Sequence, residues 1–292
     1  MDERTFVDQH GVEVFSRWWS IDSPAGVVLI SHGASEHSAR YDRFARALNG
    51  ARYAVVALDH RGHGHTAPLG DNATMGAGGG QAVVDDLHEL RAAAESTFGA
   101  APVHFFGHSL GALIGLAYLA QHAEGLTSAV LCGFPADING AAALATVLEG
   151  FAEMRDEPMT SLLSDNNAAF EPTRTEYDWL SRDTDEVDRY VADPLCGNDH
   201  PLTYGYLLDL FGVVAPATER LGAITCPVFV IAGDQDPTGA MGAYPTGLAD
   251  ALKAAGVDTE LKLYPDARHE LLNETNRDDV TADVIRFFQR EL

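Results

Sequence analysis

The sequence is poor in cysteine, and the cysteines it has follow no paired spacing. Only Cys132, Cys196 and Cys226 occur in a chain of 292 residues. An odd number of widely spaced cysteines without a C-x-x-C pair argues against a disulfide framework and against a zinc site built on cysteine pairs. We therefore expect reduced thiols that serve mainly in packing.

Basic residues are also scarce. The chain has 19 Lys and Arg against 43 Asp and Glu, a formal net charge of -24, and its only lysines are Lys253 and Lys262. Nucleic acids and anionic membrane surfaces are bound through positive patches. This composition therefore argues against both kinds of partner and predicts a solvated acidic surface.

Long apolar runs are absent as well. The longest, at residues 111–120, is about half of the roughly 20 residues that a membrane-spanning helix needs. The first eleven residues, MDERTFVDQHG, lack the apolar stretch of a signal peptide. These features predict a cytoplasmic protein without stable membrane insertion.

The sequence does have a regular alternation of strand-like apolar runs with helical stretches, which starts at Gly26. Apolar runs such as VVLIS, YAVVAL and PVHFF are typical of buried parallel strands, and the residues from 81 to 98 place apolar side chains on one helical face. The alternation predicts an α/β fold with a mostly parallel sheet flanked by helices. Because it breaks and later resumes, we expect a core of residues 1–133 and 225–292 and an inserted helical cap (lid) of residues 134–224.

One serine, in FFGHSLGA, lies at the end of a predicted strand and before a predicted helix. That is the setting of the G-x-S-x-G nucleophile elbow, although the bare pattern also arises by chance. In such an elbow the serine backbone is strained, and residues 107 and 111 must be small because neighbouring segments pass close by. We therefore predict that Ser109 is a nucleophile.

A serine hydroxyl needs a base, and the base needs an acid that orients it. Among the twelve histidines, His269 stands out because it follows the last predicted strand. Asp234 and Asp236 both follow the preceding strand. The spacing favours Asp236, since Asp234 fits a turn beside Gly233. The order Ser109, Asp236, His269 is the order found in α/β-hydrolases.

Acyl transfer also requires two donors for the oxyanion. One should be the backbone N–H of Leu110, which follows the nucleophile. The second should come from the loop after the strand VVLIS, which indicates the N–H of Ala34. Gly33 would allow the backbone to approach closely there.

Five segments together resemble the monoacylglycerol lipase and bacterial lysophospholipase branch of the α/β-hydrolases, which is also grouped with serine aminopeptidase-like hydrolases. They are LISHGASEHSARYDRFARAL, LDHRGHGHT, GHSLGA, IAGDQDP and YPDARHELLNE, in this order between residues 28 and 274. The resemblance implies an α/β-hydrolase fold and a serine hydrolase that cleaves carboxylic esters through an acyl-enzyme, with no metal or other cofactor. It assigns the acid role to Asp236, and it places Glu36, Arg40 and His108 near the polar head group of a small, lipid-like ester substrate.

Several alternatives stay open at this stage. The same triad could serve an acyltransferase or an aminopeptidase-like hydrolase, and the fold could persist in a non-catalytic binding protein. Asp59 with His60, His63 and His65 could chelate a metal, although no further ligand cluster converges on that segment. The glycine-rich stretch at residues 76–81 lacks the strand and the G-K-[ST] of a phosphate loop. Apolar residues of the cap are more typical of packing than of ligand contact, although some could line an acyl pocket: Phe134, Leu144, Val147, Leu148, Phe151, Leu162, Leu163, Leu207, Leu208 and Phe211.

Overall fold

A computed structural model describes residues 1–66, 73–159, 166–197 and 201–291. Eight strands form one sheet. They are β1 (Asp2–Val7), β2 (Glu13–Trp19), β3 (Gly26–Ser31), β4 (Tyr53–Leu58), β5 (Val103–His108), β6 (Leu126–Cys132), β7 (Val228–Gly233) and β8 (Thr259–Tyr264). Their order across the sheet is β1-β2-β4-β3-β5-β6-β7-β8.

The sheet is antiparallel at one edge and parallel elsewhere. Strands β1 and β2 form a hairpin, and β2 also runs antiparallel to β4, whereas the pairs from β4 through β3, β5, β6 and β7 to β8 are all parallel. Because parallel neighbours share one direction, the carboxyl ends of β3 to β8 lie along the same edge of the sheet. That edge is where ligands of such sheets bind.

Helices cover both faces of the sheet. They are α1 (Asp42–Gly50), α2 (Gly79–Phe98), α3 (Leu110–His122), α4 (Ala141–Glu149), α5 (Thr184–Ala192), α6 (Tyr204–Thr218), α7 (Ala243–Ala254) and α8 (Arg277–Arg290). The parallel strands are buried on both sides, so successive residues of β3 serve different cores: Leu29 packs with α2 and α3, and Val28 packs with α1 and α8. This two-sided burial explains the continuous apolar runs in the sequence.

Between β6 and β7 the chain leaves the sheet and forms α4, α5, α6 and short 3-10 turns. Helix α6 contacts α2, α3 and α4. Its Asp209 carbonyl lies so close to Gly80 that a side chain there would clash. The glycine-rich stretch at residues 76–81 therefore ends in the first turn of α2, where Gly80 lets α6 approach.

The predicted α/β-hydrolase fold is confirmed. The boundaries of the cap stay a prediction, and so does the cytoplasmic location. No helix within the described ranges is long and apolar enough to cross a membrane. Cys132, Cys196 and Cys226 are all buried free thiols.

Candidate active site

Ser109 lies in a sharp turn between β5 and α3. Its backbone has φ 53° and ψ -117°, a left-handed conformation that is strained for a residue with a side chain. Its N–H donates to the carbonyl of Cys132 at 2.9 Å, which fixes the turn to the neighbouring strand. A side chain at Gly107 or Gly111 would run into backbone carbonyl groups. The two glycines are therefore required by this turn.

His269 lies between β8 and α8 and connects the serine to an acid. Its Nε2 is 2.9 Å from Ser109 Oγ, and its Nδ1 is 2.8 Å from Asp236 Oδ2. His269 is 2% exposed and Asp236 is fully buried. The structure thus brings together all three residues that the sequence predicted, each at the carboxyl end of a strand and within hydrogen-bond distance of the next.

The two aspartates after β7 have separate environments. Asp236 Oδ1 accepts hydrogen bonds from the N–H of Thr238 at 2.9 Å and from its hydroxyl at 2.8 Å, which leaves Oδ2 for the histidine. Asp234 instead accepts the N–H of Asp266 at 2.8 Å and joins two loops. Only Asp236 contacts His269, which agrees with the preference drawn from spacing.

The electrostatics of the Asp236–His269 pair favour an ionised aspartate beside a protonated histidine. Burial would raise the pKa of Asp236, but the charge and hydrogen bond of His269 hold that pKa below its ordinary value. Burial would lower the pKa of His269, but the negative charge and hydrogen bond of Asp236 raise it above its ordinary value. Asp236 therefore stays ionised and stabilises a proton on His269, as a general base needs.

The loop after β3 is held through both backbone polar groups of one residue, Gly33. The N–H of Gly33 donates to Glu36 Oε1 at 2.6 Å, and the Gly33 carbonyl is 2.7 Å from His32 Nδ1. His32 Nε2 accepts the N–H of His60 at 2.8 Å, so Nδ1 carries the proton that Gly33 accepts. Clamping of Gly33 on both sides fixes the orientation of the next residue, Ala34.

The N–H groups of Ala34 and Leu110 both remain available. Neither donates to an acceptor among the residues that the structure describes, and both residues line the same cleft as Ser109. Leu110 also begins helix α3, so its N–H lies at the positive end of the helix dipole. These are the features expected of two oxyanion donors.

A buried ionic network lies beside the serine. Arg40 Nη1 donates to Glu36 Oε2 at 2.6 Å and to Glu270 Oε1 at 2.5 Å, and Nη2 donates to Glu270 Oε2 at 2.7 Å. The Tyr41 hydroxyl donates to Glu36 Oε1 at 2.7 Å. Burial would raise the pKa of Glu36, but the charge of Arg40 keeps that pKa below its ordinary value. The network thus joins the Gly33 loop to the residue that follows His269.

The three residues that the resemblance placed near a head group are not equivalent. Glu36 and His108 line the cleft together with Ser109. Arg40 lies behind them, against a second void of about 20 Å³, which has room for about one water molecule. Burial lowers the pKa of His108 to about 4, helped by the charge of nearby His269, so His108 is a neutral imidazole.

The cleft above Ser109 has a volume of about 490 Å³ and is mostly apolar. Its walls come from the core and from the segment between β6 and β7. The apolar side chains that line it include Leu113, Leu144, Leu148, Met159, Trp179, Leu202, Leu207, Leu210 and Phe211. A long apolar chain can therefore be buried next to the serine.

The apolar residues between β6 and β7, for which the sequence favoured packing, have different roles in the structure. Phe134 is 1% exposed and packs in the core as expected, and Leu208 is half-buried. Leu144, Leu148, Leu207 and Phe211 line the cleft. Val147 is 59% exposed and Phe151 36% exposed. Leu162 and Leu163 lie outside the described residues. Helix periodicity predicts an apolar face, but it does not show whether that face meets protein, ligand or solvent.

The segment that carries Asp59, His60, His63 and His65 has a structural role. Asp59 accepts hydrogen bonds from Ser38, His65 and Arg17. Burial holds the pKa of His63 at about 3 and that of His60 well below the ordinary value. Across the described ranges, the ligand atoms of Asp59 and the nearby histidines do not converge as a metal-binding group.

Three residues of the site were missed. Thr238, two residues after Asp236, donates its hydroxyl to the Asp236 carboxylate. Such a local contact between a hydroxyl and a nearby aspartate could have been predicted from the sequence. Trp179 packs against the His269 ring with centroids 5.2 Å apart. Glu270 follows His269 directly, yet its partner Arg40 lies 230 residues away. No local pattern reveals such a contact.

This sheet, with a serine at an elbow after β5, an aspartate after β7 and a histidine after β8, defines an α/β-hydrolase. The comparisons with known proteins give the family. The chain belongs to the Hydrolase_4 family (Serine aminopeptidase, S33), which matches residues 22–276.

Similar proteins span nearly the whole chain. The monoacylglycerol lipase of Mycolicibacterium smegmatis is 31% identical, with 97% of this chain and 96% of that protein covered. Human monoglyceride lipase is 28% identical, with 92% and 83% covered. A thermostable carboxyl esterase from Bacillus coagulans, solved in complex with glycerol, has a TM-score of 0.88 at 31% identity, with 99% and 97% covered. This chain is accordingly a carboxylic ester hydrolase of the lipase and esterase type.

Proposed function

We propose that this chain is a monoacylglycerol lipase-like esterase that works through an acyl-enzyme on Ser109. One observation carries the proposal: the chain of hydrogen bonds from Ser109 to His269 to Asp236 opens into an apolar cleft of about 490 Å³. Clefts of about 300–1,000 Å³ take small-molecule ligands.

The residues supply each proton transfer that ester hydrolysis needs. Ser109 Oγ attacks the carbonyl carbon while His269 Nε2 takes the hydroxyl proton. His269 then gives this proton to the departing alcohol, and the acyl group stays on the serine. A water molecule, deprotonated by the same imidazole, releases the carboxylic acid and restores the serine. Asp236 holds the imidazole through Nδ1 and stabilises its charge.

The negative charge on the attacked oxygen is stabilised by backbone donors. We assign this role to the N–H groups of Ala34 and Leu110, both of which line the cleft. Because Gly33 is fixed through Glu36 and His32, the Ala34 donor is oriented before the substrate arrives. Donors that are already oriented stabilise the oxyanion effectively because they do not have to reorganise during the reaction.

Residues 134–224 act in this proposal as a cap that supplies the apolar wall. Leu148, Leu207 and Phe211 come from this segment and line the cleft. They favour an ester with a long apolar acyl chain, since burial of each CH₂ group is worth about 0.8 kcal/mol. Glu36 and His108 provide polar groups at the same cleft for a hydroxyl-bearing head group, and Arg40 acts by orienting Glu36.

The family description raises an aminopeptidase as the second candidate. Its substrate would carry an α-ammonium group, which needs a free carboxylate. Among the described residues that line the cleft, the carboxylates are Glu36, Asp137 and Glu270. Glu36 and Glu270 are both paired with Arg40, whereas Asp137 accepts the N–H of Asn139 through Oδ1 and keeps Oδ2 available. An aminopeptidase would therefore have to use Asp137 as its anchor, and the lipase and esterase relatives favour a neutral ester.

A turnover panel tests the proposal. Wild-type protein and Ser109→Ala are compared on p-nitrophenyl esters, monoacylglycerols, lysophospholipids and aminoacyl anilides. We expect the highest kcat/KM on monoacylglycerols and loss of all turnover in Ser109→Ala. Preferential cleavage of the anilides would support the aminopeptidase instead. Ester hydrolysis that survives in Ser109→Ala would exclude the mechanism.

A further inference from the structure

The cap and the core meet at the loop that follows β3. The hydroxyl of Tyr190 donates to the carbonyl of Ser35 at 2.9 Å, and the N–H of Gly197 donates to the same oxygen at 3.1 Å. Two residues further along this loop, His37 Nε2 lies 3.0 Å from Asp193 Oδ2. The segment 190–197 is thus attached to the loop that also carries Ala34.

Three side chains with metal-ligand chemistry converge at this junction. One imidazole nitrogen of His37, a carboxylate oxygen of Asp193 and Sγ of Cys196 all lie within 4.8 Å of one another. Tetrahedral Zn²⁺ with bonds of about 2.0–2.3 Å places its ligand atoms roughly 3.3–3.8 Å apart. Small side-chain rotations would therefore close the three atoms around an ion.

Apart from the contact between His37 Nε2 and Asp193 Oδ2, few contacts within the described ranges hold these three side chains. Asp193 uses Oδ1 to accept the N–H of Leu195 at 3.0 Å, which leaves Oδ2 on the histidine side. His37 is 5% exposed, and its Nδ1 finds no partner among the residues that the structure describes. Cys196 is 7% exposed and is a free thiol. A buried nitrogen without a partner is unusual in a folded protein.

The charges nearby favour a cation. Asp193, Glu36 and Glu270 carry negative charge, and Arg40 is the positive group that pairs with both glutamates. Asp193 is only partly buried, with 31% of its side chain exposed. An ion can therefore enter from solvent past Asp193, and water can occupy the fourth coordination position.

We propose that His37, Asp193 and Cys196 bind a divalent cation that accepts a thiolate ligand, with Zn²⁺ the best match, and that this ion fastens the cap to the core. A nitrogen, an oxygen and a sulfur ligand together suit Zn²⁺, whereas Mg²⁺ and Ca²⁺ prefer oxygen alone. Binding forms the Zn–S bond and releases the thiol proton of Cys196 to solvent, while His37 binds as neutral imidazole.

Co²⁺ is the spectroscopic probe for this site. Chelator-treated protein is titrated with Co²⁺, and the thiolate-to-Co²⁺ charge-transfer band is recorded and then displaced with Zn²⁺. We expect one Co²⁺ per chain with this band. Loss of even an outer-shell partner costs about 10- to 100-fold in affinity, so Cys196→Ser should lose the band and bind Zn²⁺ at least about 100-fold more weakly. Cys226→Ser, which removes another buried thiol, should bind as the wild type does.

A second readout, thermal stability, shows whether each variant is folded. Tm is measured with chelator and with Zn²⁺ for the same three proteins, and Zn²⁺ should raise the Tm of wild type and Cys226→Ser only. If Cys196→Ser does not fold, Asp193→Asn takes its place and should weaken Zn²⁺ binding at least about tenfold. Binding without a thiolate band, a band that persists in Cys196→Ser, or no binding at all would each overturn the proposal. These readouts do not depend on ester hydrolysis.

Discussion

Replacing Glu36 with glutamine should slow catalysis although Glu36 does not touch Ser109 Oγ or His269. The carboxylate accepts three hydrogen bonds, from Gly33 N–H, Arg40 and the Tyr41 hydroxyl. The glutamine amide keeps one acceptor oxygen, but its NH₂ group then faces the Arg40 guanidinium. Both groups are donors, so the bond to Arg40 is lost. The Gly33 peptide is then held by a weaker neutral bond, and the Ala34 donor next to it is less well fixed.

The magnitude follows from these contacts. A hydrogen bond to a charged group contributes about 1.5–3 kcal/mol, and a neutral one roughly half of that. Losing the Arg40 bond and weakening the other two should lower the free energy of unfolding by about 3–6 kcal/mol. An oxyanion donor is worth about 10²- to 10³-fold in kcat. A displaced donor should therefore cost about 10- to 100-fold in kcat, with little change in KM.

The assay measures kcat and KM on a short p-nitrophenyl ester, together with Tm. Glu270→Gln is the matched control, because it makes the same change at the same arginine without a contact to Gly33. We expect Glu36→Gln to lose more in kcat than Glu270→Gln does. If Glu36→Gln keeps the kcat of the wild type while its Tm falls, the assignment of the Gly33 loop to oxyanion positioning is wrong.

Three further changes test other parts of the account. Asp236→Asn should lower kcat/KM by about 10⁴-fold. The Asp236 carboxylate raises the pKa of His269, and the imidazole must be neutral to act as a base. In Asp236→Asn this pKa should fall, so the acid limb of the pH profile should also move to lower pH. An unmoved limb would argue against this pairing. Gly111→Ala puts a methyl group against the Ser31 carbonyl and should lower Tm by at least about 3 °C, whereas Gly247→Ala, with open space around it, should not. Leu207→Trp narrows the cleft and should reduce kcat/KM more for long-chain than for short-chain p-nitrophenyl esters; equal losses would mean that the acyl chain binds elsewhere.

Much of the site could be predicted because its main residues follow strands. A parallel sheet brings the carboxyl ends of its strands to one edge, so Ser109, Asp236 and His269 could be placed near one another before any coordinates. The same reasoning selected Leu110, which follows the nucleophile, and Ala34, which lies in the loop after β3. Where the topology determines a position, the local sequence is sufficient.

Contacts between distant side chains could not be predicted. The Arg40–Glu270 pair links residues 230 positions apart, and the contact of His37 with Asp193 depends on where the segment between β6 and β7 lies. The apolar pattern of the segment between β6 and β7 likewise does not show which residues face the cleft. Such features depend on tertiary packing rather than on the periodicity of a single segment.

The central claim is that Ser109, activated by His269, carries the acyl group. Incubation with a fluorophosphonate, followed by intact mass and peptide mapping, tests it directly. The account predicts one adduct per chain, located on Ser109, absent from Ser109→Ala and formed far more slowly in His269→Ala. An adduct on another residue, or equal labelling of the wild type and Ser109→Ala, would contradict it.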